Sequence, residues 1–358
     1  MLQEILEQRR VPAIRDFTPE EWPALREELK EILLSEEYGR PVPEPTEVSF
    51  EIAPLDYKTR NFAAGKAFQY HVTAHTVVCG KEFSFPFQAI LPKKKGKYPF
   101  FIHNDFAPET PSRYTPAEEI IDNGFAVLKV CYQDVTTDDG DFTNGLAGIL
   151  YPDGVRKNPD DPGKIAMWAW ANKRLMDFAE TREELDLNYS AVIGHSRLGK
   201  TALVTGMLDE RFQFVCSNGA GCSGDAITRE KEGEHIEFIT NRFAYWFCEN
   251  YLKYVNEELL TFDQHMLLAT TAPRTLLIGA AIEDTWADPD SQYLSCFAAS
   301  KVWKTLGKRG LVAPDRLPVV GAAFNDGDVC YQLREGTHYL SRKDWQFFMD
   351  AILKKKYQ

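Results

Sequence analysis

The sequence predicts an α/β fold: a three-layer sandwich whose central sheet is mostly parallel, with antiparallel strands on its N-terminal side. Three observations lead there. From residue 98 onward, short apolar runs alternate with stretches of helical periodicity, the pattern of a doubly wound sheet. Between about 48 and 92 the pattern instead has the period of two expected of half-buried antiparallel strands. At 191–203 a β-branched run passes through Gly-His-Ser-Arg directly into an Ala/Leu-rich helical pattern.

The first residues are acidic and amphipathic. Thr18-Pro19-Glu20-Glu21 supplies an N-cap, a first-turn proline and early acids for a helix over 18–38, with Leu25, Leu29, Ile32 and Leu33 at helical spacing. Pro41-Val42-Pro43-Glu44-Pro45 follows, so residues 1–46 read as a helical extension and 47–358 as the main α/β domain. Strands are expected at 48–52, 67–74 and 83–91, and the lysine-rich 93–97 reads as a solvated hairpin tip. Buried strands at 98–104 and 125–130 flank a helix that starts near Pro116. A helix over 165–178 leads to the strand before Ser196, and 212–216 and 275–280 are further buried strands. Residues 290–306 form the next helix, and a last one starts at Ser341. Residues 229–262, aromatic and acidic, read as an insertion into that main domain.

With 358 residues, 44% hydrophobic and 26% charged, the chain has the composition of a globular protein with a large core. A net charge of −12 argues against nucleic acid or an anionic membrane as partner. No stretch reaches the length of a transmembrane helix, and the opening residues lack the pattern of a secretory signal. The seven cysteines are scattered and odd in number, which fits reduced, buried thiols and gives no metal-ligand spacing. The expected location is therefore cytoplasmic, with secretion the alternative if a leader has been removed. The acidic loop at 134–141 lacks the ligand alternation of a calcium loop. No metal or cofactor is expected.

A strand that turns sharply into a helix lifts the residue at the turn out of the sheet, which is the nucleophile elbow of α/β-hydrolases. Here that residue is Ser196. The motif G-x-S-x-G is altered, with Leu198 in the last glycine position and Gly199 one step later. A serine nucleophile needs a base, and the base needs an acid to fix its tautomer. In this fold the chain order is serine, acid, histidine. His338 stands before the final helix, where the base belongs. His265 reads as a packed helix-face histidine, and His235 comes before the late strand. The strand over 276–280 runs into Glu283-Asp284, and Asp284 is the expected acid with Glu283 its rival. Arg197 and Lys200 place two cations at a helix N-terminus, the end at which the dipole disfavours them. An anionic group is expected to meet them, and Arg197 is placed to stabilise an oxyanion.

Beyond the elbow Gly194-His195-Ser196-Arg197-Leu198-Gly199-Lys200, the chain carries Ala220-Gly221-Cys222-Ser223-Gly224, Gly233-Glu234, Phe262-Asp263-Gln264-His265-Met266, Glu283-Asp284-Thr285-Trp286-Ala287-Asp288-Pro289 and Gly336-Thr337-His338. In these segments, spanning about 165–350, it resembles the glucuronoyl esterases of carbohydrate esterase family 15, and their bacterial branch in particular. The resemblance implies Ser196 as nucleophile, His338 as base and Arg197 at the oxyanion. It implies that Lys200 and Glu234 hold hydroxyls of a glucuronate ring and that Trp286 contacts the sugar. Many members carry a glutamate as triad acid where this chain has Gly219, and some use an acid after the later strand, which again indicates Asp284.

The expected function is hydrolysis of a uronic-acid ester, such as an alcohol ester of 4-O-methylglucuronate, through an acyl-enzyme. The partner is then a small-molecule or oligosaccharide ester. The alternatives are a carbohydrate acetyl esterase, in which the sugar is the alcohol part, and a non-catalytic sugar-binding relative.

Overall fold

A computed structural model describes residues 1–357. Ten strands form one sheet: β1 (Glu47–Ile52), β2 (Ala67–Val78), β3 (Lys81–Pro92), β4 (Tyr98–Asp105), β5 (Ala126–Cys131), β6 (Leu185–His195), β7 (Phe214–Asn218), β8 (Thr275–Ala281), β9 (Ala323–Phe324) and β10 (Val329–Arg334). Their order is β1-β2-β3-β5-β4-β6-β7-β8-β10-β9. From β5 through β10 the neighbours are parallel, while β1, β2 and β3 at one edge and β9 at the other pair antiparallel.

The helices are α1 (Leu2–Gln8), α2 (Trp22–Leu33), α3 (Tyr57–Arg60), α4 (Ala117–Asp122), α5 (Gly145–Leu150), α6 (Lys164–Ala179), α7 (Arg197–Leu208), α8 (Ile236–Phe243), α9 (Gln264–Ala269), α10 (Pro289–Thr305) and α11 (Arg342–Tyr357). The three layers follow from the strands' period of two. Phe100, Ile102, Val192, Val215, Leu276 and Ile278 face the core shared with α6, α7 and α10. Phe101, Ile193, Phe214, Cys216 and Leu277 face the opposite core, which α4 and α11 cover. Ile193, Cys216, Leu277 and Cys330 stand in register across four strands. The sheet is thus apolar on both faces, which is why its strands read as continuous hydrophobic runs.

The N-terminal helices pack into the larger core through Leu2, Leu6, Trp22, Leu25, Leu29 and Leu33. Thr18 is the expected N-cap at the entry to α2, and its N–H donates to the Glu21 carboxylate at 2.7 Å. The proline-rich segment lies against α6, where Trp170 Nε1 donates to the Pro43 carbonyl at 3.1 Å. One expectation is corrected. Residues 93–97 do not tip a hairpin, because β5 lies between β3 and β4 and pairs with both. A charged turn marks a reversal of the chain, but it does not say that the strands on either side are partners.

No helix among the described residues is long and apolar enough to cross a membrane. All seven cysteines are unbonded, and six of them are buried.

Candidate active site

β6 ends at His195 and α7 begins at Arg197, so a single residue makes the turn. Ser196 makes it at φ 58°, ψ −128°, a backbone state that costs a residue with a Cβ about 1–3 kcal/mol. The surroundings hold it there. The Ser196 N–H donates to the Asn218 carbonyl at the end of β7, at 2.8 Å. A Cβ on Gly194 would fall on the Leu198 carbonyl, so only glycine lets strand and helix meet this closely. The altered motif also has its explanation. Leu198 is buried in the core, and Gly199 makes the close approach instead, where a Cβ would lie 2.9 Å from Ser217 Oγ.

The loop after β10 brings His338 to the same cleft, and the loop after β8 brings Asp284 beneath it. His338 Nδ1 lies 2.6 Å from Asp284 Oδ2, with the carboxylate buried and the imidazole half-exposed. The carboxylate accepts the Nδ1 proton, which leaves Nε2 as the ring's free acceptor. Glu283 points elsewhere, its Oε1 accepting the Gly336 N–H at 3.1 Å. Gly219 has φ +56°, and a Cβ there would lie 3.3 Å from Asp284 Oδ2 and 3.4 Å from His338 Nδ1. Position 219 therefore faces the same imidazole nitrogen. With glycine there, Asp284 makes the carboxylate contact alone.

His195, beside the serine, supports the imidazole from behind, with ring centroids 4.5 Å apart. Its Nδ1 lies 2.7 Å from Asn218 Oδ1. Burial, and then the neighbouring His338 imidazole, push its pKa down to about 3, so His195 packs as a neutral ring.

Ser196, Arg197, Lys200, Glu234, Trp286 and His338 all line one cleft of about 220 Å³. That is below the usual volume of a drug-sized site and suits a single small ring. Lys200 is buried on α7 and donates to the Ala220 carbonyl. Burial lowers its pKa, against the raising influence of Glu234, Cys222 and Asp225. Glu234 is placed by its main chain, its N–H donating to the Trp286 carbonyl at 3.0 Å. The Trp286 ring is exposed at 47% and meets Phe238 edge to face at 4.8 Å.

The cleft also contains residues that sequence reasoning did not single out. Phe238, Arg242, Phe243 and Trp246, all from the insertion, make one wall. The aromatic content of residues 229–262 was the available signal. Asp138 lies behind Arg197 and pairs with it. Its sequence context read as a poor calcium loop, and its partner 59 positions away gave no signal. His235 instead faces Glu257 at 3.0 Å, and His265 is buried on α9.

A serine on a strained strand-to-helix turn, with a His–Asp pair from later loops on a sheet of this order, defines an α/β-hydrolase. Comparison with known proteins narrows the class. The family model described as "Glucuronyl esterase, fungi" matches residues 75–307, and the chain belongs to this family. It is 37% identical over 238 residues to the carbohydrate esterase MZ0003 of an unknown prokaryotic organism, covering 65% of this chain and 54% of that protein. It is 25% identical over 298 residues to the 4-O-methyl-glucuronoyl methylesterase of Podospora anserina, covering 80% and 57%. The matched stretches thus span only about half the length of these two relatives. Among solved structures, a glucuronoyl esterase from Solibacter usitatus superposes with a TM-score of 0.86 at 27% identity, over 96% of this chain and 97% of that one. A CE15 esterase from a marine bacterial metagenome gives a TM-score of 0.81 at 29% identity, over 94% and 93%. The likeness therefore reaches beyond residues 165–350 into the N-terminal strands.

Proposed function

We propose that the protein hydrolyses esters of a uronic acid, with the sugar acid as the acyl part and Ser196, His338 and Asp284 as the triad. The observation that carries this reading is the 2.6 Å contact of His338 Nδ1 with Asp284 Oδ2, in a cleft shared with Ser196 and the cations Arg197 and Lys200. His338 Nε2 takes the Ser196 hydroxyl proton as Oγ bonds to the ester carbonyl carbon. The charge that develops on the carbonyl oxygen meets the first N–H groups of α7, which have no intrahelical acceptor, and the Arg197 guanidinium. Collapse breaks the bond to the alcohol, which leaves with the proton from His338. A water then repeats the sequence and releases the uronate and free Ser196.

The small cleft, with Lys200, Glu234 and Trp286 in its lining, supports one pyranose ring as the acyl part. The half-exposed His338 supports a bulky alcohol that stays largely outside it. Residues 1–46 are read as an extension of one catalytic domain over 47–358, with 229–262 inserted, and the core they share supports this. The unbonded, mostly buried thiols support a reducing compartment such as the cytoplasm.

The test compares release of glucuronate from its methyl and benzyl esters with release of acetate from acetylated xylo-oligosaccharides. Turnover of the uronate esters is expected. Turnover of the acetylated sugars alone would assign the sugar to the alcohol side and refute the proposal.

A further inference from the structure

The residues of the acidic loop after β5 are divided between two tasks. Lys164, buried at the start of α6, donates to the Thr137 carbonyl at 2.6 Å and the Asp141 carbonyl at 2.7 Å, and pairs with Asp139 at 3.2 Å. This internal ammonium fixes the loop. Asp138 is turned the other way, its side chain 8% exposed. Its Oδ1 accepts from Trp246 Nε1 at 2.7 Å, and its Oδ2 accepts from Tyr132 Oη at 2.9 Å and from Arg197 Nη1. The guanidinium also lies over aromatic rings, 4.6 Å from the Trp246 centroid, 5.4 Å from that of Phe243 and 5.8 Å from that of Phe106.

In this fold the oxyanion commonly receives one N–H from the residue after the serine and a second from the loop that here follows β4. The first N–H of that loop is taken in this chain, because the Phe106 N–H donates to Asp105 Oδ1 at 2.6 Å. The Arg197 guanidinium lines the cleft beside Ser196 and is placed to supply a donor there. An arginine side chain has several free torsions, and a donor stabilises a transition state only if it is already aimed.

We propose that Asp138 is the positioning residue of the site: its carboxylate, itself fixed by Tyr132 and Trp246, holds the Arg197 guanidinium aimed at the developing oxyanion. The carboxylate also offsets part of the arginine's charge in the ground state, so what it contributes is orientation. Through Trp246 the same carboxylate ties the insertion wall to the reacting centre. The proposal rests on Ser196 being an ester-hydrolysing nucleophile.

The test is a double-mutant cycle on the full chain with methyl glucuronate, and with p-nitrophenyl acetate as a second ester. Asp138→Asn is expected to lower kcat about 100-fold with KM within about threefold, the signature of a lost transition-state donor. Arg197→Ala is expected to lower kcat about 100- to 1,000-fold. The double variant is expected to match Arg197→Ala within about threefold, because one residue acts through the other. Tyr132→Phe, which keeps the charges, is expected to cost several-fold in kcat, and it carries the test if Asp138→Asn does not fold. Losses that multiply in the double variant, or an unchanged kcat in Asp138→Asn or in a folded Tyr132→Phe, would overturn the proposal. Those results on an ester that the wild type cleaves leave the esterase reading standing. A wild type inactive on both esters overturns that reading, and the proposal with it.

Discussion

On one side of the cleft Ser196, Asp284 and His338 follow β6, β8 and β10, parallel strands of one sheet. On the other side Arg197 is met by Asp138 and Trp246, residues 108 positions apart that come from a loop and an insertion. The first arrangement is set by main chain. Gly194 permits the elbow, Asn218 accepts the Ser196 N–H, and the ends of β8 and β10 bring Asp284 and His338 together. The second is set by side chains that meet through tertiary packing. On the proposed function the strand side serves the steps any ester requires, and on the proposed role of Asp138 the insertion side sets the aim of Arg197.

Four predictions probe this difference. Ser196→Ala should reduce kcat about 10⁵-fold in steady-state assays while the folded state is retained. A residual activity within tenfold of wild type would place the nucleophile elsewhere. Next, Asp284→Asn should cost about 10⁴-fold, since it removes the acceptor that fixes the His338 tautomer. Glu283→Gln should stay within about threefold, because its hydrogen bond to an exposed main-chain N–H is worth about 1 kcal/mol at most. Equal losses in the two variants would erase the distinction between them.

The strand side was largely legible in the sequence. A β-branched run ending in Gly-His-Ser-Arg carries its geometry locally, and the order of serine, acid and histidine along the chain restates the order of the parallel strands. Asp284 and Glu283 were inseparable there, because adjacent residues differ only in which way their side chains point. Asp138 was hidden for a related reason: its contacts with Arg197 and Trp246 exist only once the loop after β5, α7 and the insertion converge. The lysine turn at 93–97 misled because a loop's composition records its exposure to solvent and not which strands become neighbours.

The third prediction concerns a buried acid behind the insertion. Glu37 receives Gln264 Nε2 at 3.1 Å, and its carbonyl accepts the Cys248 N–H at 2.9 Å. Burial pushes its pKa from 4.5 up to about 8, against the hydrogen bond from Gln264. A carboxyl whose pKa is raised on folding contributes stability that is full below pH 4.5 and is lost as the pH rises through about 8. Chemical denaturation across that range should show Glu37→Gln losing less stability with rising pH than wild type, by on the order of 3 kcal/mol. Parallel pH profiles would contradict the buried, protonated state. The smallest effect is expected at the cleft mouth. Trp286→Ala should raise KM about tenfold with kcat little changed, the loss of one aromatic contact. A fall in kcat instead would move Trp286 into the chemistry.

The most direct test of the account is the identity of the acyl group carried by Ser196 during turnover. Wild type and Ser196→Ala would be quenched rapidly in acid while hydrolysing methyl glucuronate, digested, and read by mass spectrometry. The account predicts a glucuronoyl adduct on the peptide containing Ser196, absent from the variant. Hydrolysis with no uronoyl adduct at Ser196, or an adduct on another residue, would contradict it.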